Sequence, residues 1–428
     1  MFRRLFKGEA GKVFRGMMTL LLGASLARIV GLLSIPILAR LYSPEDFGVL
    51  ALYTAFIAVA VPVMTLRYVQ AIPLPKNDVM AFNLFSLCFK LIIIFSTALA
   101  VVLAIWAKPI LDWFEMEALL PWWWLIVMGI AGAALYELFS LWATRKKDYK
   151  VISKTQFTQS LIGNLAKIGL GLLAIKPLGL IVGQLLTQSA GITAFIKSAR
   201  QDFKSYSPRV QLGKEKFVAK YYQDFVWYRL PSQFLMVFSV QAPVVFMAAL
   251  YSNESTGQLS LAIMALSLPV GLIGNAMAKA YYAEIAALGK NRIGQIRKIT
   301  IAVQKNLFGI GVPAVFIAYF TAEPLFVLLF GEEWTVAGKY AVTLSPFILL
   351  QFTSSPIVQA INIVGSQLTF LLINIIRFVG LLGVYFVSSR YGFSEEEFVS
   401  TISAFLCIFY SVMTFFLLYL MRSAKLDD

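Results

Sequence analysis

Runs of about 20 apolar residues, the length at which a helix crosses roughly 30 Å of hydrocarbon, follow one another along almost the whole chain. Hydrocarbon offers backbone N–H and C=O groups no partner, so every such run must satisfy them internally, which restricts the fold to a helical bundle. The 428 residues are 59% hydrophobic and only 14% charged, which leaves no room for a sizeable soluble domain. The fold class expected is therefore an all-α polytopic membrane protein.

Twelve spans are expected near 15–39, 48–72, 80–106, 120–143, 155–175, 178–198, 226–250, 257–282, 301–320, 340–365, 367–388 and 398–421. An even number puts both termini on one side, and Lys and Arg retained in cytoplasmic loops identify that side. With the N-terminus inside, the inner segments hold 26 basic against 9 acidic residues and the outer loops 5 against 12. The stretches "TRKKDYK" (144–150) and "KNRIGQIRK" (290–298) are then inside, whereas "DWFEME" (112–117), "FGEEW" (330–334) and "SEEEF" (394–398) are outside. The net charge of +15 is accounted for by topology, so no nucleic-acid partner is expected.

Residues 1–14 form a basic amphipathic segment in which Phe2, Leu5 and Phe6 alternate with Arg3, Arg4 and Lys7. That pattern suits a short helix on an anionic cytoplasmic leaflet, followed by an uncleaved first span. Composition shifts most sharply at 199–225, a basic linker between an N-terminal lobe (15–198) and a C-terminal lobe (226–421), with 422–428 as a cytoplasmic tail. Cys88 and Cys407 both fall in apolar spans and read as packing residues. The absence of histidine removes His ligands, bases and proton relays, and no metal site is expected.

The two lobes echo each other. "LYSPEDFGVLAL" (41–52) and "LYSNESTGQLSL" (250–261) share seven of twelve positions at an offset of 209. "AKPILDWF" (107–114) and "AEPLFVLLF" (322–330) repeat a Pro at equivalent places. Six spans per half give the halves one orientation, related by a pseudo-two-fold axis along the membrane normal, as in transporters that rock about a midplane site.

"LLGASLARIVGLLSIPILARLYSPEDFGVLALY" (21–53) resembles the first helical hairpin of Wzx-like polysaccharide flippases, the PST family of the MOP exporter superfamily, and "EPLFVLLFGEEWTVAGKYAVTLSPF" (323–347) resembles their second half.

The ionisable residues within the spans include Arg28, Arg67, Lys90, Glu137, Lys167, Lys279 and Arg377. Each costs about 2.5–3.5 kcal/mol at a lipid-facing helix centre, which argues for a wet or paired interior. Arg28, Lys167 and Arg377 are near mid-span and read as cavity-facing. Arg67 and Lys279 lie close enough to the inner ends to snorkel, and Lys90 is intermediate. Gln156, Ser160, Asn164 and Lys167 form one helical stripe; Asn374 shares a face with Arg377, and Gln184 with Gln188. Some of these amides are interhelical glue rather than ligands.

Such a set suits an anionic, hydroxyl-rich cargo, because Arg forks onto phosphate oxygens and amides match sugar hydroxyls. The resemblance implies what that cargo is: an undecaprenyl-pyrophosphate-linked oligosaccharide, flipped across the bacterial inner membrane by alternating access. On this reading Arg28, Lys167, Arg377, Lys90, Arg67, Lys279, Asn164 and Asn374 are substrate-binding residues. Glu137 pairs with a cation or couples transport to a proton or cation gradient.

Membrane lipids and a polysaccharide polymerase are the expected partners. With no GxxxxGK[ST] loop in the chain, neither a nucleotide cofactor nor ATPase chemistry is expected. Two related alternatives are a MATE-like antiporter, which would be expected to carry early membrane acids, and a lipid II flippase, which would be expected to have two further C-terminal helices. A membrane polysaccharide polymerase or ligase would need larger outer loops than those expected here.

Overall fold

The computed structural model describes residues 8–114, 116–288, 292–361 and 367–423. The basic segment around Phe2 to Lys7 and residues 424–428 of the tail lie outside the described residues. Among the described residues there are helices and turns and no strand. The chain is a multi-pass, all-α membrane protein that divides into two compact units, 1–237 and 238–428.

The first unit contains α1 (Gly8–Leu41), α2 (Pro44–Met64), α3 (Asp78–Trp113), α4 (Trp124–Arg145), α5 (Tyr149–Leu172), α6 (Leu178–Ser189), α7 (Ile192–Ser198), α8 (Arg200–Tyr206) and α9 (Leu212–Tyr221). The helix α10 (Leu230–Leu250) crosses the division. The second unit continues with α11 (Asn253–Pro269), α12 (Asn275–Leu288), α13 (Ile293–Phe330), α14 (Thr335–Ser354), α15 (Gln367–Tyr391) and α16 (Glu395–Ser423).

Ten helical stretches among the described residues are long and apolar enough to cross a membrane. They fall at the expected spans other than the fifth and the eighth. At the fifth, α5 has 24 residues, but Lys150, Lys154, Lys167 and the Gln–Ser–Asn stripe lower its hydropathy. At the eighth, a π turn at Val270–Gly274 separates α11, 17 residues long, from α12. Neither piece alone reaches the length of a full span.

Two helices are longer than expected. α3 has 36 residues and α13 has 38, about 54–57 Å at 1.5 Å per residue. Both run through the duplicated prolines, so "AKPILDWF" and "AEPLFVLLF" are largely helical rather than loops. Pro109 cannot donate to the preceding turn, and the helix kinks there, with Trp106 at φ −122° and ψ 26°.

The longer repeat is a pair of helix turns. Ser43 Oγ accepts from the Asp46 amide at 3.3 Å, and the Asp46 carboxylate accepts from the Ser43 amide at 3.1 Å, a capping box that starts α2. At the same offset of 209, Ser252 Oγ accepts from the Ser255 amide at 3.1 Å and starts α11. The tyrosines just before these caps tie each turn to a distant segment. Tyr42 donates its hydroxyl to the Lys167 carbonyl at 2.7 Å, and Tyr251 donates to the Phe393 carbonyl at 2.9 Å. The acceptors lie on α5 and just beyond α15.

Segment 199–225 is strapped to the first unit. Glu215 on α9, 3% exposed, accepts from the Lys90 ammonium at 2.7 Å. Tyr68 donates to the Ala219 carbonyl at 3.0 Å, and the Asn83 side chain accepts from the Gln211 amide at 3.0 Å. Phe203 and Tyr206 of α8 pack into an aromatic cluster with Phe82, Phe85 and Trp142. Asp78 accepts from Arg145 at 2.6 Å and Lys146 at 2.9 Å, and Lys146 also meets Asp202 at 3.2 Å. Burial lowers the Lys146 ammonium pKa, but its bonds to Asp78 and Asp202 outweigh that and hold it above the ordinary value.

Close backbone approach sets the crossing of α5 and α6. A Cβ on Gly163 would overlap the Thr187 hydroxyl and come within 2.7 Å of the Gly183 carbonyl, whereas one on Gly169 would meet nothing within 4 Å. Gly163→Leu is expected to lower the thermal midpoint of the detergent-solubilised protein, at a cost of about 1–3 kcal/mol or more, while Gly169→Leu leaves it nearly unchanged. Equal midpoints for the two variants would contradict this packing.

Candidate functional site

α2 ends at Met64, and the next turn leaves the right-handed region: Leu66 and Arg67 have φ of 48° and 60°. For residues with a Cβ this conformation costs about 1–2 kcal/mol each, so neighbouring interactions must hold it. The turn feeds a 3₁₀ segment, Tyr68–Ala71, and brings two side chains onto α4. Arg67 Nη1 donates to Glu137 Oε1 at 3.2 Å, and Gln70 Nε2 donates to the same oxygen at 2.9 Å. The Arg67 and Glu137 side chains are 13% and 24% exposed.

This ion pair forms one wall of a wide-mouthed cavity of about 450 Å³ lined by residues of the first unit. Ile57, Val61 and Pro62 give it an apolar side, and Tyr136, Gln159, Thr187, Gln188 and Gln233 give it a polar one. Gln159 is 5% exposed and its Nε2 has no hydrogen-bond partner; Gln188 Oε1 has none either. Unmet capacity of this kind is uncommon in native structures, and here two instances line one cavity.

Lys167 is 7% exposed on α5 and donates to Gln184 Oε1 of α6 at 2.8 Å. No carboxylate lies within ion-pair distance of it among the described residues. Asn164 is also buried, but its amide donates to the Ser160 carbonyl at 2.7 Å, so it serves its own helix. Ser160 in turn donates to the Ala27 carbonyl of α1 at 2.7 Å. The stripe read on α5 is therefore partly interhelical glue and partly, at Lys167, a buried cation.

In the second unit the Arg377 guanidinium lies 5.7 Å from the Tyr410 ring centroid, and its buried Nε has no hydrogen-bond partner. Tyr410 accepts from Gln351 Nε2 at 3.1 Å. Asn374, 6% exposed, donates to the Phe370 carbonyl one turn back at 2.9 Å. Arg28 is exposed on α1, and Lys90 is held by Glu215. The Lys279 side chain lies outside the described residues.

Sequence reasoning passed over Gln70, Gln159, Gln233, Glu215 and Tyr410. Gln159 sits one position off the Gln156–Ser160 stripe, and Glu215 lies within a predominantly basic stretch. The approach of Arg67 to Glu137 depends on a left-handed turn that has no glycine or asparagine to mark it.

Breaking the pair leaves a partly buried charge without its partner. Arg67→Ala or Glu137→Ala is expected to destabilise the protein by on the order of 3 kcal/mol, less whatever solvent reaches Glu137. The double variant is expected to cost clearly less than the sum of the two. Additive losses in thermal unfolding of the purified variants would show that the two side chains do not interact.

Residues 37–339 match the family described as polysaccharide biosynthesis protein. No curated protein matches the chain in sequence. Among solved structures, the lipid II flippase MurJ in an inward closed conformation aligns with a TM-score of 0.70 at 15% identity, covering 95% of this chain and 87% of that one. An inward-facing MATE-family multidrug resistance transporter of the MOP superfamily aligns with a TM-score of 0.63 at 13% identity, covering 97% and 98%. A variant of the Vibrio cholerae MATE transporter VcmN aligns at 0.56 and 13% identity, covering 97% of each chain. At these identities the likeness is one of fold. The sequence match covers most of the chain and sets its lineage: the chain belongs to the polysaccharide biosynthesis protein family.

Proposed function

We propose that the chain is a flippase that moves an undecaprenyl-pyrophosphate-linked oligosaccharide from the cytoplasmic to the outer face of the bacterial inner membrane by alternating access. One observation carries the reading: a transporter-type fold in a polysaccharide biosynthesis family holds, inside its membrane lobes, cations with no carboxylate partner. Lys167 and Arg377 are two such cations among the described residues. A buried charge kept at such cost marks a substrate path more often than a structural need. A pyrophosphate supplies the missing anion, and the amides of these lobes suit the sugars that follow it.

The cargo's polyprenyl tail stays in the bilayer while its head group crosses. No bond of the cargo has to be made or broken, so the reading is of a transporter and not an enzyme. The driving force on this reading is a proton or cation gradient, the membrane potential, or removal of the flipped product by a polymerase. On this reading both termini face the cytoplasm, which the charge asymmetry of the loops supports. The fold likeness to MurJ favours lipid II as the second candidate cargo.

Deletion of the gene in the native host is expected to abolish surface polysaccharide and trap the lipid-linked oligosaccharide on the cytoplasmic face. Arg377→Ala is expected to reproduce the defect at normal protein level. Accumulation on the outer face would point instead to a polymerase or ligase, and accumulation of lipid II to the second cargo. Wild-type polysaccharide in Arg377→Ala and in Lys167→Ala would overturn the role given to the unpaired cations.

A further inference from the structure

The cavity beside Arg67 and the two unpaired cations differ in charge. Arg67 spends its charge on Glu137 at 3.2 Å, and Gln70 donates to the same carboxylate oxygen at 2.9 Å. The ion pair itself carries no net charge, and an anion entering there would meet the Glu137 carboxylate beside the guanidinium. A pyrophosphate therefore gains less from Arg67 than from a cation without a carboxylate partner, although Arg229 stands near enough to act on Arg67 as well. Neutral polyols gain more, because amides and a paired guanidinium and carboxylate together offer donors and acceptors to hydroxyls.

The cavity has that set, and two of the side chains that line it, Gln159 and Gln188, each keep one buried amide atom that the fold leaves without a partner. Gln159 is 5% exposed and its Nε2 donates to nothing; Gln188 Oε1 accepts from nothing. Gln233 and Tyr136 add an amide and a ring to the lining. The apolar side formed by Val61 and Pro62 suits the C–H face of a pyranose. The volume of about 450 Å³ lies within the range of small-molecule pockets.

We infer that this cavity is a binding site for an uncharged sugar residue of the cargo, separate from whatever cation takes its pyrophosphate. The inference rests on the flippase reading above and adds to it a division of labour. Arg67 and Glu137 act there as one neutral, hydrogen-bonding wall, and Gln159 and Gln188 read the hydroxyls. Selection of the sugar then depends on amides in the first unit, and recognition of the lipid phosphate does not.

The test uses the purified full chain in nanodiscs and three probes: undecaprenyl pyrophosphate, the same lipid bearing one N-acetylhexosamine, and free N-acetylhexosamine. The wild type is expected to bind the sugar-bearing lipid about tenfold more tightly than the bare lipid, as one or two hydrogen bonds allow. Gln159→Leu and Gln188→Leu, made separately so that misfolding of one leaves the other, are expected to lose that preference and to keep their affinity for the bare lipid. Equal wild-type affinity for both lipids, or an unchanged preference in a folded variant, would overturn the sugar site while leaving the flippase reading intact. Competition by the free sugar at the lipid's own concentration would assign the cavity to soluble sugar and overturn the inference. Failure of the wild type to bind either lipid would overturn the flippase reading and the inference with it.

Discussion

Hydrocarbon solvates neither a charge nor an unpaired amide, and the structure is arranged around that constraint. Backbone groups are satisfied within helices, and most polar side chains in the spans bond to a carbonyl one turn back, as Asn164, Asn374 and Thr187 do. Among what remains after this local satisfaction are the Arg67–Glu137 pair, the unpartnered amide atoms beside it, and the cations Lys167 and Arg377. Leucines in place of the whole ion pair, or of the unpartnered groups, would cost less if stability alone mattered. The set is consequently the place to look for cargo.

The duplicated text serves the opposite purpose. Tyr42 and Tyr251, with Ser43 and Ser252, build the same turn in each unit: a serine cap that starts a helix and a tyrosine hydroxyl that ties the turn to a distant carbonyl. Duplication maintains scaffold, and the two units differ in the residues that bear charge. At the same offset, the position corresponding to Arg28 is Val237. The strap from α8 to α9 has no duplicated counterpart in the sequence, and it fastens the basic segment through Glu215 and an aromatic cluster rather than leaving it as a tether.

Much of this was legible in the chain because its cause is local. Apolar runs set the spans, and the repeat marked the two turns before any contact was seen. The polar stripe on α5 located Lys167, although the same polarity makes that helix the least lipid-like of the long ones. Other features depend on partners distant in sequence. Lys90 read as half-way between snorkelling and cavity, but Glu215, 125 residues away, holds it. The extension of α3 and α13 through their prolines was hidden because proline in sequence signals a break, whereas α3 only kinks before Pro109 and α13 continues through Pro324. Gln159 could not be singled out from one more amide on a polar helix until its missing partner was visible.

The central claim is that this fold moves a sugar-bearing pyrophosphate lipid across a bilayer and uses its unpaired cations to do so. The direct measurement is translocation in proteoliposomes that contain undecaprenyl-pyrophosphate-linked N-acetylhexosamine, followed by the rate at which inner-leaflet lipid becomes accessible to a membrane-impermeant glycosyltransferase. The account predicts a rate well above that of protein-free liposomes, with most of the gain lost in Arg377→Ala. A rate equal to the protein-free background, or a full rate in both Arg377→Ala and Lys167→Ala, would contradict it.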